Sequence, residues 1–206
     1  VKKTSARISN SHTAVEAEIA DGRLLRSCRS RAEIIRAMIE LIRDGDMSPS
    51  AARIAEFAGV SLRTVFRHFD DVDSLYREMT AMVEEEVRPL ATRPIEGKNW
   101  RERLDFLLDR RMSIFEHVAP FRTAGSLRRF SSTYLMEDHQ RFIGIERKTL
   151  LEVLPKTISS NPTLVSALEL ATGFQAWRRL RQDQKLSVRD ARAAILLTVE
   201  RLIADQ

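Results

Sequence analysis

Cysteine is nearly absent, with Cys28 the only one in 206 residues. One thiol makes neither an internal disulfide nor a multi-cysteine zinc site. A chain of this kind is expected in a reducing, cytoplasmic compartment. Aromatic residues are sparse, at 6%. Long apolar runs are missing too. The longest, Ala193–Leu197, falls far short of the ~20 residues that span a bilayer. The opening Val1-Lys2-Lys3-Thr4 lacks the apolar centre of a secretion signal. No membrane partner is therefore expected. No stretch alternates apolar and polar residues between hairpin turns, so strands are not expected. Gly-rich phosphate loops, His-Glu-x-x-His pairs and nucleophile elbows are missing. With only four histidines, and those dispersed, no metal, cofactor or enzymatic activity is expected.

What remains is a helical, charged chain. Apolar residues make up 43% and charged residues 31%, a balance that suits a globular protein with a real core. The net charge is +5. It is not concentrated at the N-terminal end. Residues 1–80 hold 13 Lys/Arg against 12 Asp/Glu, a net of +1, and residues 81–206 hold 21 against 17, a net of +4. Bulk charge is thus permissive for nucleic-acid binding and no more.

Punctuation divides the chain. Residues 1–26 read as a flexible, polar arm ending in an Arg-rich stretch. A capping box, Ser30-x-x-Glu33, opens the first firm helix. Ile34, Ile35, Met38, Ile39 and Ile42 form its apolar stripe, and Gly45 closes it. Ser48-Pro49 predicts the start of a second helix, ending near Phe57. A third follows Ser61, and a fourth runs from about Asp71 to Leu90. Thr92–Gly97 marks the domain boundary. Beyond it, helical patterns cover 99–117, 120–132, 134–154, 162–182 and 187–204, with Pro120, Pro155 and Pro162 between them.

Residues 51–70 are the most informative segment. Two short helices that cross steeply need a small joint and a tight turn. Ala55 is small where the helices approach. Gly59 supplies a positive φ, and Ser61 caps the second helix. Ile54, Ala58, Val60 and Val65 fill the joint. The opposite face carries Leu62, Arg63, Phe66 and Arg67. A helix in the major groove presents its N-terminal half to base edges, and arginine pairs with guanine there. Thr64 and His68 are placed for backbone phosphates. Ser48, Ser50 and Ser61 offer hydroxyls and amides to a phosphate. The expected partner is double-stranded DNA.

The string Ile54-Ala55-x-x-Ala58-Gly59-Val60-Ser61-x-x-Thr64-Val65-Phe66-x-His68-Phe69, with Leu75 after it, resembles the DNA-binding signature of the TetR/AcrR-like (tetracycline-repressor) family. The resemblance covers residues 30–80. It implies an all-α protein with an N-terminal helix-turn-helix domain, residues 27–90, and a C-terminal bundle, residues 91–206, for effector binding and dimerisation. It also implies a homodimeric transcriptional regulator, usually a repressor. Such a protein reads a palindromic operator and is released by a small molecule. Two positions depart from the pattern. Phe66 stands where the family has tyrosine, and Val72, flanked by Asp71 and Asp73, stands where it often has lysine. Both weaken the phosphate grip, and the Arg23–Arg31 stretch is the candidate to replace it.

Phe106, Phe115, Phe121, Phe130, Tyr134, Phe142 and Phe174 are candidates to line an effector pocket between helices; an ordinary bundle core would use the same residues. The last two helices, with Leu168, Ala171, Trp177, Ile195, Val199 and Leu202, are the candidate dimer face; the alternative is that these faces pack inside one subunit. The competing functions are a helical protein-interaction module that has lost DNA binding and a small helical enzyme.

Overall fold

The computed structural model describes residues 27–204. The expected arm, residues 1–26, lies outside them, as do Arg23 and Arg26. Every regular element among the described residues is helical, as expected. They are α1 (27–43), α2 (Ala51–Phe57), α3 (Leu62–His68), α4 (Val72–Ala91), α5 (Trp100–Arg128), α6 (Thr133–Leu151), α7 (Lys156–Ser159), α8 (Pro162–Thr172), α9 (Phe174–Arg178) and α10 (Val188–Leu202). The chain divides into two compact units between Met79 and Thr80, within α4.

The first unit is built on the stripe of α1. Ile34, Ile35, Met38, Ile39 and Ile42 are all buried, as are Ile54 and Ala55 of α2, Val65 of α3, and Leu75, Tyr76 and Met79 of α4. Gly45 closes α1 at φ +101°, where its N–H reaches the Ile42 carbonyl and the Asp46 N–H reaches that of Leu41. That is the left-handed cap glycine favours. Two start signals are corrected. Residues 27–30 are already helical, so Ser30-x-x-Glu33 lies inside α1. The cap of α2 is Ser50, whose Oγ accepts from the Arg53 N–H at 3.1 Å, and Ser48 and Pro49 precede it. Asp71 starts α4 by accepting from the Ser74 N–H at 2.7 Å.

The second unit is a helical bundle. Leu104, Leu107, Leu108, Met112 and Phe115 of α5 pack with Leu150, Leu168, Phe174, Trp177, Ile195 and Val199. Trp177 is 0% exposed, and its indole N–H donates to Glu116 at 2.7 Å. Arg181 clamps the same carboxylate from a π-helical turn, Arg179–Asp183. That guanidinium, then burial in opposition, then the indole set the Glu116 carboxyl below its ordinary range.

Pro120 and Gly173 act differently from the sequence expectation. Pro120 does not end a helix: α5 is continuous through it. Phe115, Val118, Phe121 and Ala124 keep one face buried on both sides of the proline, and that burial outweighs one missing hydrogen bond. The expected helix over 162–182 is instead broken at Gly173, which is extended at φ −80°, ψ 164°. A Cβ there would stand 2.9 Å from the Glu169 carbonyl. Ser187 caps α10 as expected, its Oγ accepting from the Asp190 N–H at 3.1 Å.

The seam between α5 and α6 is polar. Arg111 is 6% exposed and donates to the Glu146 carbonyl at 2.6 Å, Thr149 Oγ1 at 2.9 Å and Thr172 Oγ1 at 3.1 Å. Burial brings its pKa down to about 10. Arg122 pairs with Glu146 at 2.6 Å, and the second oxygen of Glu146 accepts from the Phe174 N–H at the start of α9. Replacing Arg111 with alanine removes several hydrogen bonds and opens a void. A loss of about 2–4 kcal/mol in urea unfolding is expected; a loss under about 1 kcal/mol would show that α5, α6 and α8 close without it.

Candidate nucleic-acid interface

Local chemistry shapes the α2–turn–α3 segment. Gly59 sits at φ +66°, with nothing within 4 Å of a Cβ placed there, so the glycine is required by backbone conformation and not by crowding. The Val60 N–H bonds to the Ala55 carbonyl at 3.0 Å and folds the turn back on α2. Ser61 is extended, and its Oγ accepts from the Thr64 N–H at 3.1 Å. The two hydroxyls, Ser61 Oγ and Thr64 Oγ1, also meet at 2.9 Å. Ile54, Ala55 and Val65 close the joint in full burial, with Ala58 and Val60 half-buried at its edge.

This joint leaves one face of α3 outward. Leu62, Arg63, Phe66 and Arg67 are exposed, Phe66 at 57%. Neither Arg63 nor Arg67 has a carboxylate partner among the described residues. On α2, by contrast, Arg53 is paired with Glu56 at 2.9 Å. Ser48 and Ser50 are exposed just ahead of α2.

His68 departs from its expected place among the phosphate contacts. Its Nε2 is buried, with no hydrogen-bond partner among the described residues, and the ring lies edge-on to Phe69 at 6.5 Å. Burial, then Arg67 and Arg31, hold its pKa below the ordinary value, against a smaller opposing pull from Glu78.

Arg31 is likewise corrected. It is not a free phosphate hook. Its Nε donates to Glu78 of α4 at 2.7 Å, NH2 bonds the same oxygen, and NH1 bonds the His68 carbonyl at the end of α3. The guanidinium also lies 4.5 Å from the centre of the Phe69 ring. One side chain therefore ties α1, α3 and α4 together. Periodicity gave no sign of this, because Glu78 lies 47 residues away. Val72 is half-buried at the start of α4, with Asp71 and Asp73 beside it.

The expected pocket residues are only partly brought together. Phe115 and Phe174 meet edge to face at 5.5 Å, and Arg122 lies 4.3 Å from the Phe174 ring centre and 4.9 Å from that of Phe142. Phe121 is buried and Tyr134 half-buried. Phe106 instead faces Arg93 at 4.9 Å. Phe130 is 79% exposed and lines no core. Arg111, Arg122 and Glu146 were not anticipated. The available signal was Arg111 standing in the core register of Leu104, Leu108 and Phe115.

No protein-family model matches the sequence, and no curated protein matches it. Solved structures do share its fold. A transcriptional regulator from Rhodococcus sp. RHA1 superposes with a TM-score of 0.66 at 16% identity, over 84% of this chain and 96% of that one. A protein from Pseudomonas aeruginosa PAO1, assigned as a transcriptional regulator, superposes at 0.61 and 19% identity, over 85% and 90%. At these identities the likeness is one of fold: a helix-turn-helix unit followed by a helical bundle.

His68 also predicts a pH dependence. Its folded pKa lies below the unfolded value of about 6.5, so its stabilisation is complete above that pH and is lost as pH falls through the folded pKa. Wild type is expected to lose more urea resistance between pH 7.5 and pH 5 than His68→Gln. Equal losses would show that the ring accepts a proton without cost.

Proposed function

We propose that the chain is a sequence-specific DNA-binding transcriptional regulator of the TetR type, acting as a homodimeric, ligand-responsive repressor. The observation that carries this reading is the outward face of α3, which holds two arginines without carboxylate partners on a helix capped and braced from behind. In this reading Arg63, in the first turn of α3, takes a guanine edge. Arg67, one turn later, reads a base or holds a phosphate. Ser48, Ser50 and Thr64 contribute hydroxyls to the backbone. Residues 27–90 form the reading head and residues 91–206 the effector and dimer part.

Leu168, Trp177, Ile195 and Val199 are buried within a single chain, because α8, α9 and α10 close the bundle with them. The same helices expose Leu170 at 77% and Leu197 at 56%. We assign the self-association of α8 and α10 to these two. Paired heads then meet a palindrome through the dimer's own symmetry.

A second reading has one observation in its favour. Phe57, Leu62 and Phe66 are exposed on α2 and α3, and apolar side chains there suit a protein-interaction module. Salt separates the two. A DNA reader loses affinity steeply with salt, and an adaptor binding through apolar side chains does not.

Fluorescence anisotropy against the DNA upstream of the protein's own gene, with unrelated competitor, is the direct test. Arg63→Ala is expected to weaken specific binding by about 1–3 kcal/mol and to relax preference at one base position. Unchanged preference would remove Arg63 from base reading. For the dimer, Leu170→Asp with Leu197→Asp is expected to give a monomer in analytical ultracentrifugation, with thermal unfolding little altered. An intact dimer would place the interface elsewhere.

A further inference from the structure

At the far end of the α5–α6 seam the charges do not balance. Arg122 and Arg129 are seven residues apart, two turns along α5 and its closing 3-10 turn, Arg129–Ser131. Arg122 has a carboxylate, Glu146. Arg129 has none among the described residues. Its NH1 lies 3.0 Å from His139 Nε2 and 3.4 Å from Nδ1, and its Nε is buried with no hydrogen-bond partner among the described residues. A guanidinium set against an imidazole is a poor pairing, since it offers a full charge to a group that can itself become a cation. The other carboxylate nearby, Asp138, is held by Arg141 at 2.6 Å. Burial, then Arg129 and Arg122, keep His139 below its ordinary pKa, with Glu146 and Asp138 pulling weakly the other way. Gly125 lies on α5 between the two arginines. A Cβ at Gly125 would meet only Leu135 of α6, at 3.6 Å.

A half-buried cation with an unused donor, an imidazole beside it and the exposed Phe130 ring 4.7 Å from the guanidinium together define a ligand chemistry. We propose that this end of the seam binds a small organic monocarboxylate, its carboxylate bridging Arg129 and His139 and its apolar body lying against the exposed Phe130 ring. This names the class of effector for the reading above and rests on that reading only for its regulatory meaning. The bound anion supplies the charge Arg129 lacks. It also reverses the role of His139, which accepts from Arg129 in the free protein and donates to the carboxylate in the complex. A proton on the ring provides that donor. The charged groups that face the ring, Arg129, Arg122, Glu146 and Asp138, then hold one more anion than before.

The test is isothermal titration calorimetry of the full chain, without DNA, against benzoate and hexanoate, with benzamide as the uncharged isostere of benzoate. At least one acid is expected to bind with a Kd below about 1 mM, and more tightly at pH 6 than at pH 8; benzamide is expected not to bind. Arg129→Gln is expected to lose at least tenfold in affinity, Arg129→Lys to keep part of it, and His139→Gln to bind with a flattened pH dependence. Circular dichroism confirms that each variant is folded. Binding of neither acid, equal binding of benzamide, or full affinity in a folded Arg129→Gln would overturn the proposal. Because DNA is absent, these outcomes are independent of whether α3 reads an operator. Anisotropy on DNA with and without the bound acid then reports the regulatory link separately.

Discussion

Helices of seven residues do not hold their shape in water. Nucleating the first turn costs more than so few hydrogen bonds return, and packing must supply the difference. Helices α2 and α3 are both seven residues long. Everything the first unit presents to the outside depends on the joint that holds them: the folded-back turn at Gly59, the caps at Ser50 and Ser61, and the burial of Ile54, Ala55 and Val65. Because that joint buries Val65, the face of α3 that carries Arg63 and Arg67, with Leu62 and Phe66 beside them, is left outward. Arg31 completes the arrangement from behind. It satisfies the His68 carbonyl, which the end of a helix would otherwise leave without a partner, and it carries Glu78 of α4 and the Phe69 ring on the same guanidinium.

The second unit solves a different problem. Its core is apolar around Trp177, but the α5–α6 seam is built from arginines. A buried guanidinium is costly unless its donors are used. Arg111 meets that demand with carbonyl and hydroxyl oxygens and Arg122 with Glu146. Glu146 is the common node, since it accepts from Arg122 on α5 and from the Phe174 N–H that opens α9. Arg129 stands outside this satisfied network. Its guanidinium faces an imidazole and has no carboxylate partner among the described residues, and so marks where a ligand of opposite charge fits.

The fold shared with transcriptional regulators fixes the architecture and leaves chemistry to the side chains. The exposed arginines of α3 suit DNA, and the exposed Phe57, Leu62 and Phe66 beside them set the alternative. The stripe of Leu168, Trp177, Ile195 and Val199, expected to face a partner, is the one the bundle needs for itself, and the same helices leave Leu170 and Leu197 exposed. A helix has one apolar stripe legible from spacing, and spacing does not say whether the neighbour belongs to the same chain.

Some features were determined by the sequence alone. The helical class, the stripe of α1, the closing glycine Gly45, the positive-φ glycine Gly59 and the caps Ser61 and Ser187 were all legible. Each depends on groups within a turn or two of one another, and such groups meet whatever the rest of the chain does. Tertiary structure decided the remainder. His68 turned inward, Arg31 became a brace, Pro120 stayed inside a helix, and Arg111, Arg122 and Glu146 formed a seam. Their partners lie between 24 and 61 residues away in sequence. Contacts at that range exist only once helices have packed, and the free energy of packing overrides the local preference of a single proline or a single charged side chain.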